Sequence, residues 1–145
     1  MQAIHACSDA PYNYQRLGAE RVEAGAYAWK TLWEDGTVVT NGTDVPVEKI
    51  DPLASLHCTV TRQVPGTDTL FTAEEALSRR RALRSYTYNN AYAAFAEEKK
   101  GTLAPGKLAD ITVLSKNILD VPADSIRSTE VTHTILGGEV AYQQE

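Results

Sequence analysis

The sequence Thr37-Val38-Val39-Thr40-Asn41-Gly42-Thr43-Asp44-Val45-Pro46 decides the fold that we predict for this chain. Its first four residues are all β-branched and follow Gly36, a residue suited to the end of a helix, so they predict a buried strand. Chemistry in α/β proteins is placed at the carboxyl ends of parallel strands. Asp44 follows this strand and is therefore a candidate metal ligand or general base for water. The alternative is an aspartate whose side chain caps its own turn.

The residues before this stretch predict the rest of a βαβ unit. Gln2–Cys7 predicts a short strand, Ser8–Gly18 a polar loop and Ala24–Asp35 a helix. The helix is predicted from an apolar face made of Ala28, Trp29, Leu32 and Trp33. Strand, helix and strand in this order imply a parallel sheet, and hence an α/β fold. His5, near the end of the first strand, would then lie at the same edge as Asp44.

The middle of the chain predicts helices. Asp51 followed by Pro52 is typical of a helix N-terminus, and this helix would run to about Arg62. A loop is predicted for Val64–Leu70. The capping box Thr72-Ala73-Glu74-Glu75 would begin a second helix that runs to about Arg84. A third helical stretch has an apolar face formed by Tyr88, Ala91, Tyr92 and Phe95.

The last third of the chain predicts β-structure. Ala109–Leu114 predicts a strand, and Val131–Leu136 and Glu139–Tyr142 flank Gly137-Gly138, which indicates a tight hairpin. We place a boundary near residue 99, with α/β structure in residues 1–98 and β-rich structure in residues 99–145. The second part is too short to bury a core alone. It must pack on the first part or on something absent from this chain.

Composition excludes several classes of function. The 145 residues carry 14 Lys and Arg against 19 Asp and Glu, a formal net charge of −5, which argues against binding nucleic acid or an anionic membrane. No apolar run has the length of a membrane-spanning helix, and no signal peptide is visible. Cys7 and Cys58 are too few for a disulfide framework, so we expect reduced thiols and a cytoplasmic location.

The other candidate residues are weaker. His57 lies in a predicted helix and is expected to be a packed or surface residue, and His133 lies in a predicted strand and is expected to be structural. No His-x-His or His-x-x-x-His is present, and a catalytic zinc site needs about three protein ligands. Cys7 and His5 could form a nucleophilic pair, but no third orienting group is evident. The arginines within residues 79–84 predict a solvated helix face rather than an RNA contact.

Segments spread along the whole chain resemble one known family. The longest are Gln2–Asp9, Asn41–Glu48, Gly101–Asp110 and Ile135–Val140, and the shorter ones are Arg16–Gly18, Tyr27–Trp29, Asp51–Leu53 and Val60–Gln63. Together they resemble the C-terminal part of the amidohydrolase superfamily. They are most similar to its amidohydrolase 3 group, the relatives of N-substituted formamide deformylase. Asn41–Glu48 resembles the strand-eight motif of that group, and Gln2–Asp9 its strand-seven segment.

The resemblance implies a metal-bearing (β/α)8 barrel with a β-sandwich formed by both chain ends. It implies hydrolysis of amide and other C–N bonds of small molecules by metal-activated water, with zinc as the expected divalent metal. Asp44 would be the strand-eight aspartate, a metal ligand that also takes the proton of the water. His5 would face the substrate, and Arg62, which lies in a matching segment, is assigned to substrate binding with it.

The chain also lacks parts of the family's pattern. The His-x-His of the first strand, the bridging residue of strand four and the histidines of strands five and six are missing. A (β/α)8 barrel needs about 250 residues. We therefore expect the C-terminal strands and helices of the barrel in residues 1–98 and part of the β-sandwich in residues 99–145. The isolated chain is expected to bind no metal and to be inactive.

A non-catalytic interaction or dimerisation module is the alternative function. Part of a barrel would leave strand edges and apolar helix faces open, including those of Trp29 and Trp33, and open edges pair with other chains. The expected partner is a second copy of the chain or a missing N-terminal half.

Overall fold

Helices occupy the first two thirds of the chain and a three-stranded antiparallel sheet the last third, in a computed structural model that describes residues 1–145. The helices are α1 (Ile4–Ser8), α2 (Ala10–Leu17), α3 (Ala19–Gly25), α4 (Trp29–Glu34), α5 (Pro52–Thr61), α6 (Arg79–Tyr86) and α7 (Tyr88–Ala93). The strands are β1 (Ile111–Leu114), β2 (Val131–Leu136) and β3 (Glu139–Gln143), and 3₁₀ turns lie at Ala73–Glu75 and Ala123–Ile126. None of the helices combines the length and apolar character that a membrane crossing requires.

The N-terminal residues are helical, so the strand predicted for Gln2–Cys7 is wrong. The buried positions are Ala3, Ala6, Cys7 and Ala10, a spacing of three and four residues that is a helical period. A helix satisfies its own backbone groups, whereas a strand here would need hydrogen-bonded neighbours along its length. The loop predicted for Ser8–Gly18 is also wrong, because α2 accommodates Pro11 in its first turn, where a missing N–H costs nothing.

The helix predicted for Ala24–Asp35 is shorter than expected. α3 ends at Gly25 and α4 begins at Trp29, because Tyr27 between them has a left-handed backbone with φ of 55°. Gly36 follows α4 with φ of 85°, which confirms the predicted role of this glycine after the helix.

Residues 37–40 do not form the predicted strand. Val39 is buried, but Val38 is 47% exposed. The carbonyl oxygen of Val39 accepts a hydrogen bond from the side-chain amide of Asn89 on α7, and the N–H of Asn41 donates to the carbonyl oxygen of Ser85 on α6. Helices α6 and α7 therefore satisfy backbone groups that a neighbouring strand would otherwise pair. The βαβ unit and its parallel sheet are not formed, although the fold is a mixture of helices and sheet.

The predicted helix start at Asp51 and Pro52 is confirmed, whereas the predicted capping box at Thr72–Glu75 does not begin a helix that runs to Arg84. Asp51 accepts hydrogen bonds from the N–H groups of Leu53 and Ala54 at the start of α5. At the predicted capping box, Thr72 is left-handed and its side chain caps nothing. Glu75 instead accepts from the N–H groups of Lys30 and Thr31, so it caps α4 across 45 residues of sequence. Helix α6 begins later, at Arg79, with Ser78 as its cap.

The sheet confirms the predicted hairpin. β2 pairs with β1 and β3, and the chain reverses at Gly137 and Gly138, which have φ of 59° and 91°. Every residue of β3 is exposed. The sheet region is anchored on the helices by a cluster of Leu56, Ala82, Ile118 and Ile126. The expectation that this part packs on the first part is confirmed, and the boundary near residue 99 stays a prediction.

Candidate functional site

The structure brings His5 and Asp44 together. Nε2 of His5 and Oδ2 of Asp44 lie 3.0 Å apart and share a hydrogen bond, although 39 residues separate them in sequence. The His5 side chain is 20% exposed and that of Asp44 is 39% exposed, so water reaches the pair. A carboxylate beside an imidazole can accept a proton from a water molecule. The sequence predicted that the two residues would lie at one edge of a sheet, whereas the observed contact joins a helix to a turn.

The segments that carry the two residues are held together by backbone hydrogen bonds. The nitrogen of Met1 donates to the carbonyl oxygen of Thr40 at 2.7 Å, and the N–H of Gly42 donates to the carbonyl oxygen of Met1 at 3.1 Å. Met1 thus bonds the two residues on either side of Asn41, and this is the hydrogen-bond pattern of paired parallel strands. The two segments are therefore adjacent and locally parallel, although the pairing ends before it becomes a sheet.

The buried side chain of Asn41 holds the segment that leads to Asp44 in place. It is buried, and its Oδ1 accepts from the N–H groups of Ala3 and Gly42. Its Nδ2 lies within hydrogen-bond distance of the hydroxyls of Thr59 on α5 and Ser85 on α6. This side chain thus joins the N-terminal segment to two helices. Asn41 was not among the candidate residues predicted from the sequence, and its position between a β-branched run and a glycine was the only available signal.

The backbone of Asp44 makes a turn that leaves its carboxylate free for His5. Asp44 has φ of 58°, and its carbonyl oxygen accepts from the N–H groups of Val47 and Glu48. The alternative, in which its side chain bonds nearby backbone amides, is not observed. The turn also returns the chain so that Glu48 faces the same histidine.

The other ring nitrogen of His5 faces two more carboxylates. Nδ1 lies 3.5 Å from Oε1 of Glu48 and 3.9 Å from Oδ2 of Asp9. Ser8 donates its hydroxyl to Oε1 of Glu48 at 2.5 Å, and Tyr27 donates its hydroxyl to Oδ2 of Asp9 at 2.7 Å. Burial, followed by the hydrogen bond to Asp9, raises the pKa of Tyr27 to about 12, so this phenol remains a donor at neutral pH.

Arg62 is not at this surface. Its side chain is fully buried, and it donates to the carbonyl oxygen of Phe71 and to the hydroxyl of Thr72. Its guanidinium also lies over the Phe71 ring, 5.8 Å from the centroid. Burial lowers its pKa to about 10, against the opposing charges of Glu75 and Glu74. Substrate binding by Arg62 stays a prediction, and in this structure its Nε and Nη2 groups donate to the loop after α5, whereas Nη1 is buried without a partner.

The cysteines differ from the expectation of free thiols. Cys7 and Cys58 are joined by a disulfide, and both are buried. Their positions, 51 residues apart, give no sequence signal for pairing, because only the packing of α1 on α5 brings them together. Cys7 is therefore no free nucleophile for His5. His57, expected to be a packed or surface residue, is buried on α5, and His133 lies within β2, the strand predicted for it.

The chain does not hold a complete metal site. No group of three or more His, Cys, Asp or Glu side chains has an arrangement that could hold a metal ion. Nε2 of His5, the nitrogen nearest Asp44, is already engaged with the carboxylate. A catalytic zinc site uses about three protein ligands and keeps one open position. The side chains of this chain therefore do not fit a resident divalent metal by themselves.

Comparison with known proteins matches nearly the whole chain. The family model of the amidohydrolase family matches residues 1–142. YtcJ, a predicted amidohydrolase of Bacillus subtilis, is 30% identical over 146 aligned residues, which cover 99% of this chain and 27% of YtcJ. N-substituted formamide deformylase of Arthrobacter pascens is 26% identical over 115 residues, covering 79% of this chain and 21% of the deformylase. The chain thus spans about a quarter of the length of these relatives.

A solved structure agrees with this assignment. The crystal structure of an uncharacterized metal-dependent hydrolase from Pyrococcus horikoshii superposes with a TM-score of 0.73 at 30% identity, covering 86% of this chain and 25% of that protein. Both segments that meet at His5 and Asp44 lie within the residues that the family model matches. From these matches and from its fold, the chain belongs to the amidohydrolase family.

Proposed function

We propose that this chain carries the proton-accepting part of a hydrolase that cleaves carbon–nitrogen bonds other than peptide bonds in small molecules. We also propose that the 145 residues alone turn over no substrate. The observation that carries the proposal is the 3.0 Å contact between His5 and Asp44, within segments that match the amidohydrolase family.

The proposed chemistry uses Asp44 as the base. Its carboxylate takes a proton from a water molecule whose oxygen attacks the substrate carbonyl carbon, and the same proton later passes to the nitrogen of the leaving amine. Water is thus divided between the acid and amine products, and the carboxylate is restored. His5 holds Asp44 in place through Nε2 and faces the same exposed surface.

The expected inactivity of the isolated chain has a physical reason. Amide hydrolysis builds negative charge on the carbonyl oxygen, which must be stabilised by donors or by positive charge. The groups around His5 are the carboxylates of Asp9, Asp44 and Glu48. The nearby hydroxyls of Ser8 and Tyr27 are already donated to Glu48 and Asp9. The pair therefore has a base but no electrophilic partner.

The missing partner, in this proposal, comes from protein outside these residues. Residues 1–98 would complete the C-terminal side of a (β/α)8 barrel, and residues 99–145 would form part of its β-sandwich. The coverage of about a quarter of the relatives supports this arrangement. The metal-ligand role of Asp44, and zinc as the metal, likewise depend on donors supplied by the rest of such a barrel.

The first experiment tests inactivity. The purified chain is incubated with Zn²⁺ or Mn²⁺ and assayed for amine release from N-substituted formamides and simple amides. We expect no release above that of Asp44→Asn. Turnover that is lost in Asp44→Asn, but kept in the control Asp35→Asn, would overturn the inactivity of the isolated chain. Asp35 is a suitable control because its side chain is exposed and makes no hydrogen bond.

The second experiment tests the function. In a chimaera, this chain replaces the matching part of N-substituted formamide deformylase. We expect hydrolysis of an N-substituted formamide, about 100-fold slower with Asp44→Asn and unchanged with Asp35→Asn. A folded chimaera in which Asp44→Asn matches the activity of the unmodified chimaera would overturn the role of Asp44.

A non-catalytic interaction module is supported by the exposed sheet edge and apolar residues. All of β3 is exposed, Phe95 is 95% exposed and Leu103 is 82% exposed. Such surfaces pair with other chains, here a second copy or a complementary N-terminal half. Light scattering across a range of concentrations tests self-association, and a monomer at every concentration would exclude the homo-oligomer.

A further inference from the structure

We infer that Glu48, supported by Asp9, is a positioning residue that orients the His5 ring so that Nε2 points at Asp44. The inference rests on the proposed function, because it assigns the supporting residues of the same site. It goes further by giving Glu48 and Asp9 roles that neither the proposed function nor the family match assigns to them.

The orientation of the His5 ring depends on the surroundings of its second nitrogen, Nδ1. An imidazole bonded through one nitrogen can still rotate, and the partner of the second nitrogen decides which ring orientation is kept. Here Nδ1 faces Oε1 of Glu48 at 3.5 Å and Oδ2 of Asp9 at 3.9 Å. A flipped ring would direct carbon atoms toward these carboxylates and would lose the 3.0 Å contact with Asp44.

Each supporting carboxylate is itself anchored. The hydroxyl of Ser8 donates to Oε1 of Glu48, the same oxygen that faces Nδ1. The hydroxyl of Tyr27 donates to Oδ2 of Asp9, again the oxygen that faces the ring. Donors on these oxygens hold them in place without occupying the histidine, as outer hydrogen bonds do at other catalytic sites.

The backbone explains why these residues meet. Ser8 and Asp9 follow His5 by three and four residues along α1 and its cap, so they lie on one helix face. Glu48 is tied to Asp44 within one turn, because its N–H donates to the Asp44 carbonyl oxygen at 3.2 Å. Helix α1 and its cap thus carry His5 and Asp9, and the turn carries Asp44 and Glu48.

The ¹⁵N signals of the histidine rings test this inference without any turnover. In the full chain, Glu48→Leu removes the carboxylate that faces Nδ1 at 3.5 Å, and we expect the wild-type ring signals of His5 to be lost while those of His57 and His133 remain. Glu48→Gln keeps an oxygen that can accept from Ser8 and remain facing Nδ1, so we expect it to restore the His5 signals. The control Glu23→Leu changes an exposed glutamate that makes no side-chain hydrogen bond.

Wild-type ring signals of His5 in Glu48→Leu would overturn the inference. So would signals in Glu48→Gln that are changed as much as in Glu48→Leu. In the deformylase chimaera, we expect kcat to fall about 10-fold to 100-fold with Glu48→Leu at similar KM, with recovery in Glu48→Gln. An inactive chimaera with the expected ring signals would reject the proposed function and keep the positioning role, so the two failures are distinguishable.

Discussion

Cys7 of α1 and Cys58 of α5 are joined by a disulfide that spans 51 residues of sequence. The two sulfurs lie in a small buried cluster with Ala6, and Ala6 and Cys7 belong to the same helix, α1, that carries His5. The bond therefore ties the first helix of the candidate site to the longest helix of the molecule.

Reduction of this disulfide is expected to destabilise the chain substantially. Closing a loop of this length removes entropy from the unfolded state worth about 4 kcal/mol in the chain-entropy model. Guanidinium unfolding with and without dithiothreitol measures the effect. In the control Cys7→Ala/Cys58→Ala, dithiothreitol should change nothing. Two titratable thiols in the denatured, unreduced protein would contradict the pairing.

Replacement of Asn41 by alanine is expected to lower the free energy of unfolding by about 2–3 kcal/mol. The change leaves the buried N–H of Ala3 without its partner and removes the amide from the hydroxyls of Thr59 and Ser85. Denaturant unfolding measures the loss. Gln15→Ala, at an exposed position, should stay within about 0.5 kcal/mol of wild type. A wild-type midpoint for Asn41→Ala would show that the Asn41 network carries no net stability.

Local signals predicted the parts of the fold that are built locally. The Gly137-Gly138 hairpin and the Asp51 cap each depend on residues a few positions apart, and both are confirmed. His5 and Asp44 were predicted to share the edge of a parallel sheet, which does not form, and they meet instead through a helix and a turn. Their chemical roles stay proposals.

Long-range partners explain what the sequence did not show. Glu75 has the spacing of a capping box, but it caps α4, and this depends on where α4 lies. The disulfide likewise depends on α1 packing on α5. One error was avoidable, since Ala3, Ala6, Cys7 and Ala10 carry a helical period that we interpreted as a strand.

Gly101→Ala is expected to lower the free energy of unfolding by about 3 kcal/mol. Gly101 has φ of +92°, and an added Cβ would lie 2.6 Å from Cβ of Ala91 and 3.1 Å from Cα of Tyr88. Gly66→Ala is a matched control, because Gly66 has φ of +75° with no atom within 4 Å of a new Cβ. That control isolates the backbone penalty, about 1 kcal/mol. Equal losses in both variants would show that the close approach to α7 is unimportant.

His57 is expected to make stability fall in mild acid. Burial, followed by the charge of Arg127, lowers the pKa of His57 below its ordinary value of 6.5, while Asp124 opposes the shift. The unfolded chain therefore binds this proton more readily than the folded chain does. The contribution of neutral His57 to the free energy of unfolding is complete above pH 6.5, and it is lost as the pH falls through the lower pKa that His57 has in the folded chain.

The measurement is the denaturant midpoint of the wild type and of His57→Asn between about pH 7.5 and pH 5, an interval that brackets the ordinary pKa of histidine. The groups that face His57 are Asp124, whose Oδ1 is 3.7 Å from Nε2, and the Asp68 and Arg127 side chains, which line the same polar cavity of about 610 Å³. The contributions of these groups remain in His57→Asn. The difference between the pH dependence of the wild-type midpoint and that of the His57→Asn midpoint therefore gives the contribution of His57. His133→Asn, which keeps His57, should retain the wild-type decline. Parallel curves for the wild type and His57→Asn would show that the buried imidazole binds its proton equally well in the folded and unfolded chain.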